Sequence, residues 1–162
     1  MARTVFVLNG PNLNLLGSRK PEVYGSTTLA EVAEMCRREG GELGLEVTFR
    51  QSNHEGQLID WIQEAGPEVQ AGRSIGAVFN PGAFTHTSAA LHDAIEAVQL
   101  PVIELHISNV HDREEFRHKS WISPVARGII IGLGVIGYPL AIRALYQVSQ
   151  THAVRHGPAA GS

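Results

Sequence analysis

The sequence is poor in the features that mark secreted, membrane-spanning and nucleic-acid-binding proteins. Its one cysteine, Cys36, cannot form a disulfide within the chain. No apolar run approaches the ~20 residues that span a bilayer, and the first residues lack the apolar core of a signal peptide. The net charge is -3 at pH 7, so no basic field is expected to hold nucleic acid or an anionic membrane. These absences favour a cytoplasmic protein with neither kind of partner.

Lysine is also scarce, which bears on one class of enzyme. Enzymes that form an imine with a carbonyl substrate need a lysine whose amine is neutral near pH 7. Only Lys20 and Lys119 are present, and both lie in polar stretches without an evident apolar pocket. Arg19 is a cation next to Lys20 that could lower the pKa of its amine. Imine chemistry is therefore disfavoured but not excluded.

What is present has the pattern of an α/β protein. Short apolar, β-branched segments predict strands buried on both faces, at residues 4–8, 45–51, 75–80, 101–107 and 127–132. Helical patterns alternate with them at 29–43, 56–65, 88–98 and 137–150, the first opened by a capping box of Thr28 and Glu31. Residues 66–74 are predicted as a polar loop. The alternation indicates a five-stranded parallel sheet with helices on both faces.

The length of 162 residues suits one catalytic domain, which we place at residues 1–150. Residues 151–162, THAVRHGPAAGS, lack periodicity and are rich in small residues. We expect this segment to be a disordered tail.

Polar residues cluster where the predicted strands end. Because parallel strands end at one edge of a sheet, these clusters should meet there, in the crevice where α/β proteins bind ligands. The clusters are Asn9 and Asn12, then Ser52, Asn53 and His54, then Asn80 and His86, and finally His106 and Ser108. Any one cluster could consist of ordinary turn and capping residues, but four at one edge favour a site.

Two familiar motifs do not fit their usual functions. The run GLGVIG at 132–137 satisfies a dinucleotide-binding pattern, but no strand follows it and no acidic residue lies about 20 residues on, so we interpret it as a tight strand-to-helix turn. His106, His111 and His118 lack the spacing of a zinc site. Neither a bound cofactor nor a metal is predicted.

The remaining candidates suit proton transfer. They include Arg19, Arg113 and Arg117 and the loop tyrosine Tyr24, which follows Arg19 by five residues. A nearby cation favours the phenolate that a tyrosine needs to act as a base. Histidine can protonate a departing hydroxide, and asparagine can hold an enolate. This set indicates removal of a proton next to a carbonyl with loss of water, and it names no substrate.

Four stretches resemble, in order, the type II 3-dehydroquinate dehydratases over nearly all of residues 4–148. They are NGPNLNLLGSRKPEVYG, QSNHEGQLIDWI, NPGAFTHTSAALHDAI and ELHISNVHDREEFRHKSWISPVARGIIIGLGVIGY. The resemblance implies a flavodoxin-like fold. It also implies dehydration of 3-dehydroquinate to 3-dehydroshikimate by anti elimination through an enolate, without an imine, metal or cofactor. That reaction serves the shikimate pathway of aromatic amino acid biosynthesis or quinate breakdown.

The resemblance also assigns roles by position. Tyr24 matches the base, carried with Arg19 on an active-site lid, and Arg19 supports its ionisation. His106 matches the general acid, which Glu104 would orient, and Asn12 helps to hold a water that stabilises the enolate. The matching substrate-binding positions are Asn80, His86, Asp93, Ile107, Ser108 and Arg117. Family members lend the residue matching Asp93 to a neighbouring subunit, within homododecamers built of trimers.

Some positions depart from the family pattern. Lys20 stands where an acidic residue is usual, which alters the charge of the lid, and Gly82 and Phe84 stand where alanine and tyrosine are frequent. The alternatives from other classes are a flavodoxin-like small-molecule binding module without catalysis and an inactive relative with a structural role.

Overall fold

The computed structural model describes residues 1–18 and 20–151, and at Tyr24 it describes the backbone alone. The strands are β1 (Arg3–Asn9), β2 (Leu45–Gln51), β3 (Ser74–Asn80), β4 (Val102–His106) and β5 (Gly128–Ile131). The helices are α1 (Pro21–Tyr24), α2 (Leu29–Glu42), α3 (Glu55–Gln70), α4 (Ala89–Val98) and α5 (Gly137–Thr151). Of these helices, none has the length and hydropathy needed to cross a bilayer.

The sheet is parallel throughout, with the strand order β2-β1-β3-β4-β5. β2 pairs with one side of β1 and β3 pairs with the other, so the direction of winding reverses at β1. This is the flavodoxin-like order, and it confirms the predicted fold class. Such a reversal opens a crevice at the carboxyl ends of β1 and β3.

The sheet separates two apolar cores. Successive residues of a strand point to opposite faces, so Val5 and Val7 of β1 pack in the core that includes α2 and α5. Phe6 and Leu8 pack in the core that includes α3 and α4. β3 and β4 are buried along their whole length, whereas β2 and β5 are partly exposed. The expectation that all five strands are buried on both faces was wrong for these two edge strands.

The segment 66–74 was predicted as a polar loop, and this was wrong for its first half. α3 continues to Gln70, with Pro67 inside it, although proline removes one hydrogen bond from a helix. Packing against α4 offsets the loss. A Cβ at Gly66 would lie 2.5 Å from Val98 Cβ, so the two helices approach this closely because residue 66 is glycine.

The end of the chain departs slightly from expectation. The run GLGVIG forms the turn from β5 into α5, where Gly132 and Gly134 have φ values of 84° and 70° that favour glycine. Thr151, assigned to the tail, is instead the last residue of α5. Residues 152–162 lie outside the described part of the chain.

Replacing Gly66 with alanine should lower the free energy of unfolding, although alanine is the better helix former. The new Cβ would overlap Val98, and overpacking of this kind costs about 1–3 kcal/mol. Gly56→Ala is the control in the same helix, because a Cβ there meets nothing within 4 Å, and it should be neutral or stabilising by up to about 1 kcal/mol. Urea unfolding checks the pair. Equal stability of the two variants would contradict the close packing of α3 on α4.

Candidate active site

A cleft lies at the carboxyl edge of the sheet. Seven of the residues assigned from the sequence line it: Asn12, Asn80, His86, His106, Ile107, Ser108 and Arg117. Arg113, a candidate without an assigned role, lines it as well. No acidic side chain of the described residues is part of this lining, so the cleft suits an anionic ligand.

The long polar segment after β1 is anchored at its start and projects further on. Leu13 and Leu16 are buried in the core that includes α2 and α5. A Cβ at Gly17 would lie 3.0 Å from the Ser26 carbonyl oxygen, so the two ends of the segment between them lie close together. Residues 20–23 are exposed. The segment therefore projects as a loop whose two ends, at Gly17 and Ser26, lie close together.

The projecting segment lies next to the cleft. Glu22 and Val23 of α1 share a second cavity with Ile107 and Ser108. Tyr24 is the last residue of α1, and its side chain lies outside the described part of the structure, as does all of Arg19.

Asn12 lies at the cleft with its backbone held by the end of β2. Its φ of 68° is left-handed, a conformation that asparagine adopts more readily than most residues. The Asn12 backbone N–H donates to Asn53 Oδ1 at 3.0 Å, and Gln51 Nε2 donates to the same oxygen at 3.2 Å. The Asn12 side chain remains exposed. Ser52 Oγ accepts a hydrogen bond from the His54 backbone N–H at the start of α3.

Asn80 is held by a buried hydrogen-bond chain that begins on α5. The Tyr138 hydroxyl accepts from Asn80 Nδ2 at 2.9 Å and donates to Asn9 Oδ1 at 2.7 Å. Asn80 Oδ1 accepts from the Gly82 backbone N–H at 3.1 Å. Burial is the main cause that raises the pKa of the Tyr138 phenol, so the phenol keeps its proton. These contacts fix the orientation of the Asn80 amide at the cleft.

His106 and Glu104 form a buried pair on β4. His106 Nε2 lies 2.6 Å from Glu104 Oε2, because residues two apart in a strand share a face. Burial raises the pKa of Glu104, but hydrogen bonds from His106, Ser123 and Ser120 together lower it below its usual value. The carboxylate is therefore ionised at neutral pH. It accepts the hydrogen bond from Nε2 and thereby fixes the orientation of the imidazole ring.

His86 stacks on His106, with ring centroids 6.4 Å apart and an angle of 17° between the rings. Its Nδ1 donates a hydrogen bond to the Lys119 carbonyl oxygen at 2.8 Å. The pKa of His86 is lowered, chiefly by burial and further by His106 and Arg117, although the Lys119 carbonyl opposes the change. A neutral His86 with its proton on Nδ1 leaves Nε2 free to accept a hydrogen bond from a hydroxyl.

Two arginines supply the positive charge of the cleft. Arg113 Nη1 donates to Ser108 Oγ at 3.2 Å, beside the end of β4. Arg117 Nε donates to Glu114 Oε2 at 2.7 Å, and its guanidinium carbon lies 4.6 Å from the centre of the Phe116 ring. Guanidinium groups match the geometry of carboxylates. The part of the cleft lined by Arg113 and Arg117 is therefore suited to a substrate carboxylate.

Of the assigned residues whose side chains are described, two do not line the cleft, and several contributors were missed. Asp93 is exposed on α4, and Glu104 lies beside His106 in an adjacent cavity. The missed contributors are Tyr138, which holds Asn80, and Thr85, Ser120 and Ser123, which contact Glu104. Asn9, which was among the predicted polar residues, supports Tyr138 from the end of β1. The only signal of the four missed residues in the sequence is that they fall in the stretches that carry the family resemblance.

Comparisons with known proteins agree on one family. The model described as Dehydroquinase class II matches residues 3–146. The chain is 66% identical over 143 residues to the 3-dehydroquinate dehydratase of Variovorax paradoxus, covering 88% of this chain and 98% of the relative. It is 63% identical over 146 residues to 3-dehydroquinate dehydratase 2 of Ralstonia nicotianae, covering 90% and 95%. The structure is similar to the crystal structure of the type II dehydroquinase from Butyrivibrio crossotus, with a TM-score of 0.84, 45% identity, and coverage of 89% and 97%.

Tyr138→Phe should destabilise the fold by about 1–3 kcal/mol, because it leaves the buried amides of Asn9 and Asn80 without their shared hydroxyl. Tyr146→Phe on the same helix is the control. Tyr146 is partly buried beside the core, and loss of its hydroxyl should change stability by less than about 0.5 kcal/mol. Urea unfolding measures both. Equal midpoints for the two variants would show that the Tyr138 hydroxyl does not hold the amides.

Proposed function

The chain belongs to the class II dehydroquinase family, and we propose that it dehydrates 3-dehydroquinate to 3-dehydroshikimate by anti elimination through an enolate. The dehydration itself is the activity for which the relatives are named. The observation that carries the proposed chemistry is the buried His106–Glu104 pair, in a cleft whose charged side chains are arginines. A binding module without catalysis is disfavoured, because the relatives are dehydratases over nearly their whole length.

His106 is the proposed general acid. Loss of the hydroxyl group as water requires a proton, and His106 lines the cleft from the end of β4. The Glu104 carboxylate accepts a hydrogen bond from Nε2 and orients the imidazole ring before transfer. After transfer the imidazole is neutral, and the same carboxylate still fixes its orientation.

Tyr24 is the proposed base, with Arg19 supporting its phenolate. Tyr24 ends a short helix in the segment that projects beside the cleft, and its neighbours Glu22 and Val23 adjoin Ile107 and Ser108. Closure of this segment would bring a base to the face of the substrate opposite His106. A base and an acid on opposite faces give anti elimination. Asn12, at the base of the segment, would hold the water that stabilises the enolate oxygen.

The remaining assigned residues would bind the substrate. Ser108, the Ile107 backbone and the two arginines Arg113 and Arg117 provide donors for the carboxylate. Asn80 and His86 provide an amide and a ring nitrogen, each held in one orientation by its hydrogen bonds, for the hydroxyl groups.

The proposed reaction uses no imine, metal or cofactor. An imine needs a lysine in a desolvated or cationic pocket. Lys20 and Lys119 are both exposed, and the Lys119 amine lies 4.5 Å from the centre of the Trp121 ring. Proton transfer between side chains and substrate is sufficient for an enolate route.

We further propose that residues 1–150 act as one catalytic domain in a cytoplasmic homododecamer built of trimers, in the shikimate pathway or quinate breakdown. Exposed Asp93 on α4 is available to a neighbouring subunit's cleft. Large apolar side chains are exposed around the edge strand β5, where a second subunit would cover them: Ile129, Leu133, Ile136 and Leu140.

Adding 3-dehydroquinate to the enzyme should produce the absorbance of the enone product. Tyr24→Phe and His106→Asn should each lower kcat by at least ~10²-fold with little change in KM, because each removes one proton-transfer group. Tyr146→Phe and His54→Asn are the matched controls, since Tyr146 lies on α5 and His54 is exposed at the start of α3. An inactive wild type would refute the dehydration, and near-normal kcat in either site variant would refute the role of that residue.

A further inference from the structure

The carboxylate of Glu104 receives more hydrogen bonds than its pairing with His106 requires. Glu104 is completely buried. Its Oε2 accepts from His106 Nε2 at 2.6 Å and from Thr85 Oγ1 and Ser120 Oγ at 2.8 Å each. Its Oε1 accepts from Ser123 Oγ at 2.5 Å. The two carboxylate oxygens are thus held from different sides.

Ser123 differs from the other two hydroxyls. Thr85 and Ser120 lie 2.8 Å from each other, so either can compensate for loss of the other at Oε2. Ser120 Oγ also accepts from the backbone N–H groups of Ile122 and Ser123, so its replacement would disturb the turn. Within the described residues, Ser123 is the one hydrogen-bond donor to Oε1. Loss of its hydroxyl would therefore leave Oε1 without a donor among the described residues, whereas Oε2 would keep three.

We propose that Ser123 is a positioning residue for the dehydration, acting through Glu104: its hydroxyl holds Oε1 so that Oε2 faces His106 Nε2 and the carboxylate stays ionised. This inference rests on the proposed role of His106 as the acid. Without Ser123, Oε1 would be a buried acceptor without a partner, and the carboxyl would gain stability by taking up a proton or turning away.

Other charged and titratable groups face the pair, and none of them replaces Ser123. His86 stacks on His106 from the turn after β3, and its pKa is lowered, so it is neutral. Arg117, His111 and His118 line the adjacent cavity from the segment after β4. β5 contributes the apolar Ile129 and Ile131. None of these residues is a hydrogen-bond partner of Oε1.

The test compares Ser123→Ala, Ser123→Thr and the control Ser74→Ala. Ser123→Ala should lower kcat by roughly 10–100-fold, the range for loss of one hydrogen bond to a charged group, with KM nearly unchanged. The acidic limb of the pH profile of kcat should move to higher pH, because loss of a hydrogen-bond donor raises the pKa of Glu104.

Ser123→Thr keeps a hydroxyl and should retain most of the activity. Ser74 is a buried serine that bonds the Thr4 carbonyl at the opposite end of β3, and Ser74→Ala should keep the wild-type kcat and pH profile.

A wild-type kcat and pH profile in Ser123→Ala would overturn the inference. So would a lower kcat in Ser123→Ala with an unchanged pH profile, if Ser123→Thr did not restore the activity.

Titration of the Glu104 carboxyl by carbon-13 NMR provides a readout that does not depend on turnover. Its pKa should rise in Ser123→Ala and stay in place in Ser74→Ala. An inactive wild type whose Glu104 titration still responds to Ser123 would mean that the proposed reaction failed, whereas an active wild type with an unresponsive Glu104 would mean that this inference failed.

Discussion

The common direction of the five strands is the constraint on which the candidate site depends. Because every strand is parallel to its neighbours, the residues that end β1, β2, β3 and β4 meet at one edge, although they are far apart along the chain. The reversal of winding at β1 then keeps a helix from covering this edge. Asn12, Asn80 and His106 reach one cleft for this reason. A different order of the same strands would disperse them.

The second constraint is the ionised Glu104 carboxylate in the interior. A buried charge is costly unless it is paired and fully hydrogen-bonded. Here one imidazole and three hydroxyls surround it, and among the described residues no buried side-chain nitrogen or oxygen lacks a partner. These hydrogen bonds offset the free-energy cost of burying the charge in the folded protein. The His106 ring is thus held in one orientation before a ligand binds, and preorganisation of this kind reduces reorganisation during a reaction.

The sequence predicted the parts of this arrangement that depend on local pattern. Alternating apolar segments identified all five strands, and the polar residues at their ends identified most of the polar side chains of the cleft. The helical course of residues 66–70 was missed, because it depends on the contact between Gly66 and Val98 rather than on local propensity. Tyr138 and Ser123 were missed for a related reason. Each contacts its partner across the fold, and an isolated tyrosine or serine has no pattern that marks it as support for a distant side chain.

The central claim is that a base on the projecting segment and His106 at the end of β4 act on opposite faces of the substrate. The most direct measurement uses 3-dehydroquinate that carries deuterium at the position anti to the departing hydroxyl, with the product analysed by mass spectrometry. The account predicts that 3-dehydroshikimate loses this deuterium, and that substrate labelled at the other hydrogen of the same carbon keeps its label. Retention of the anti deuterium in the product would show syn elimination and would contradict the account.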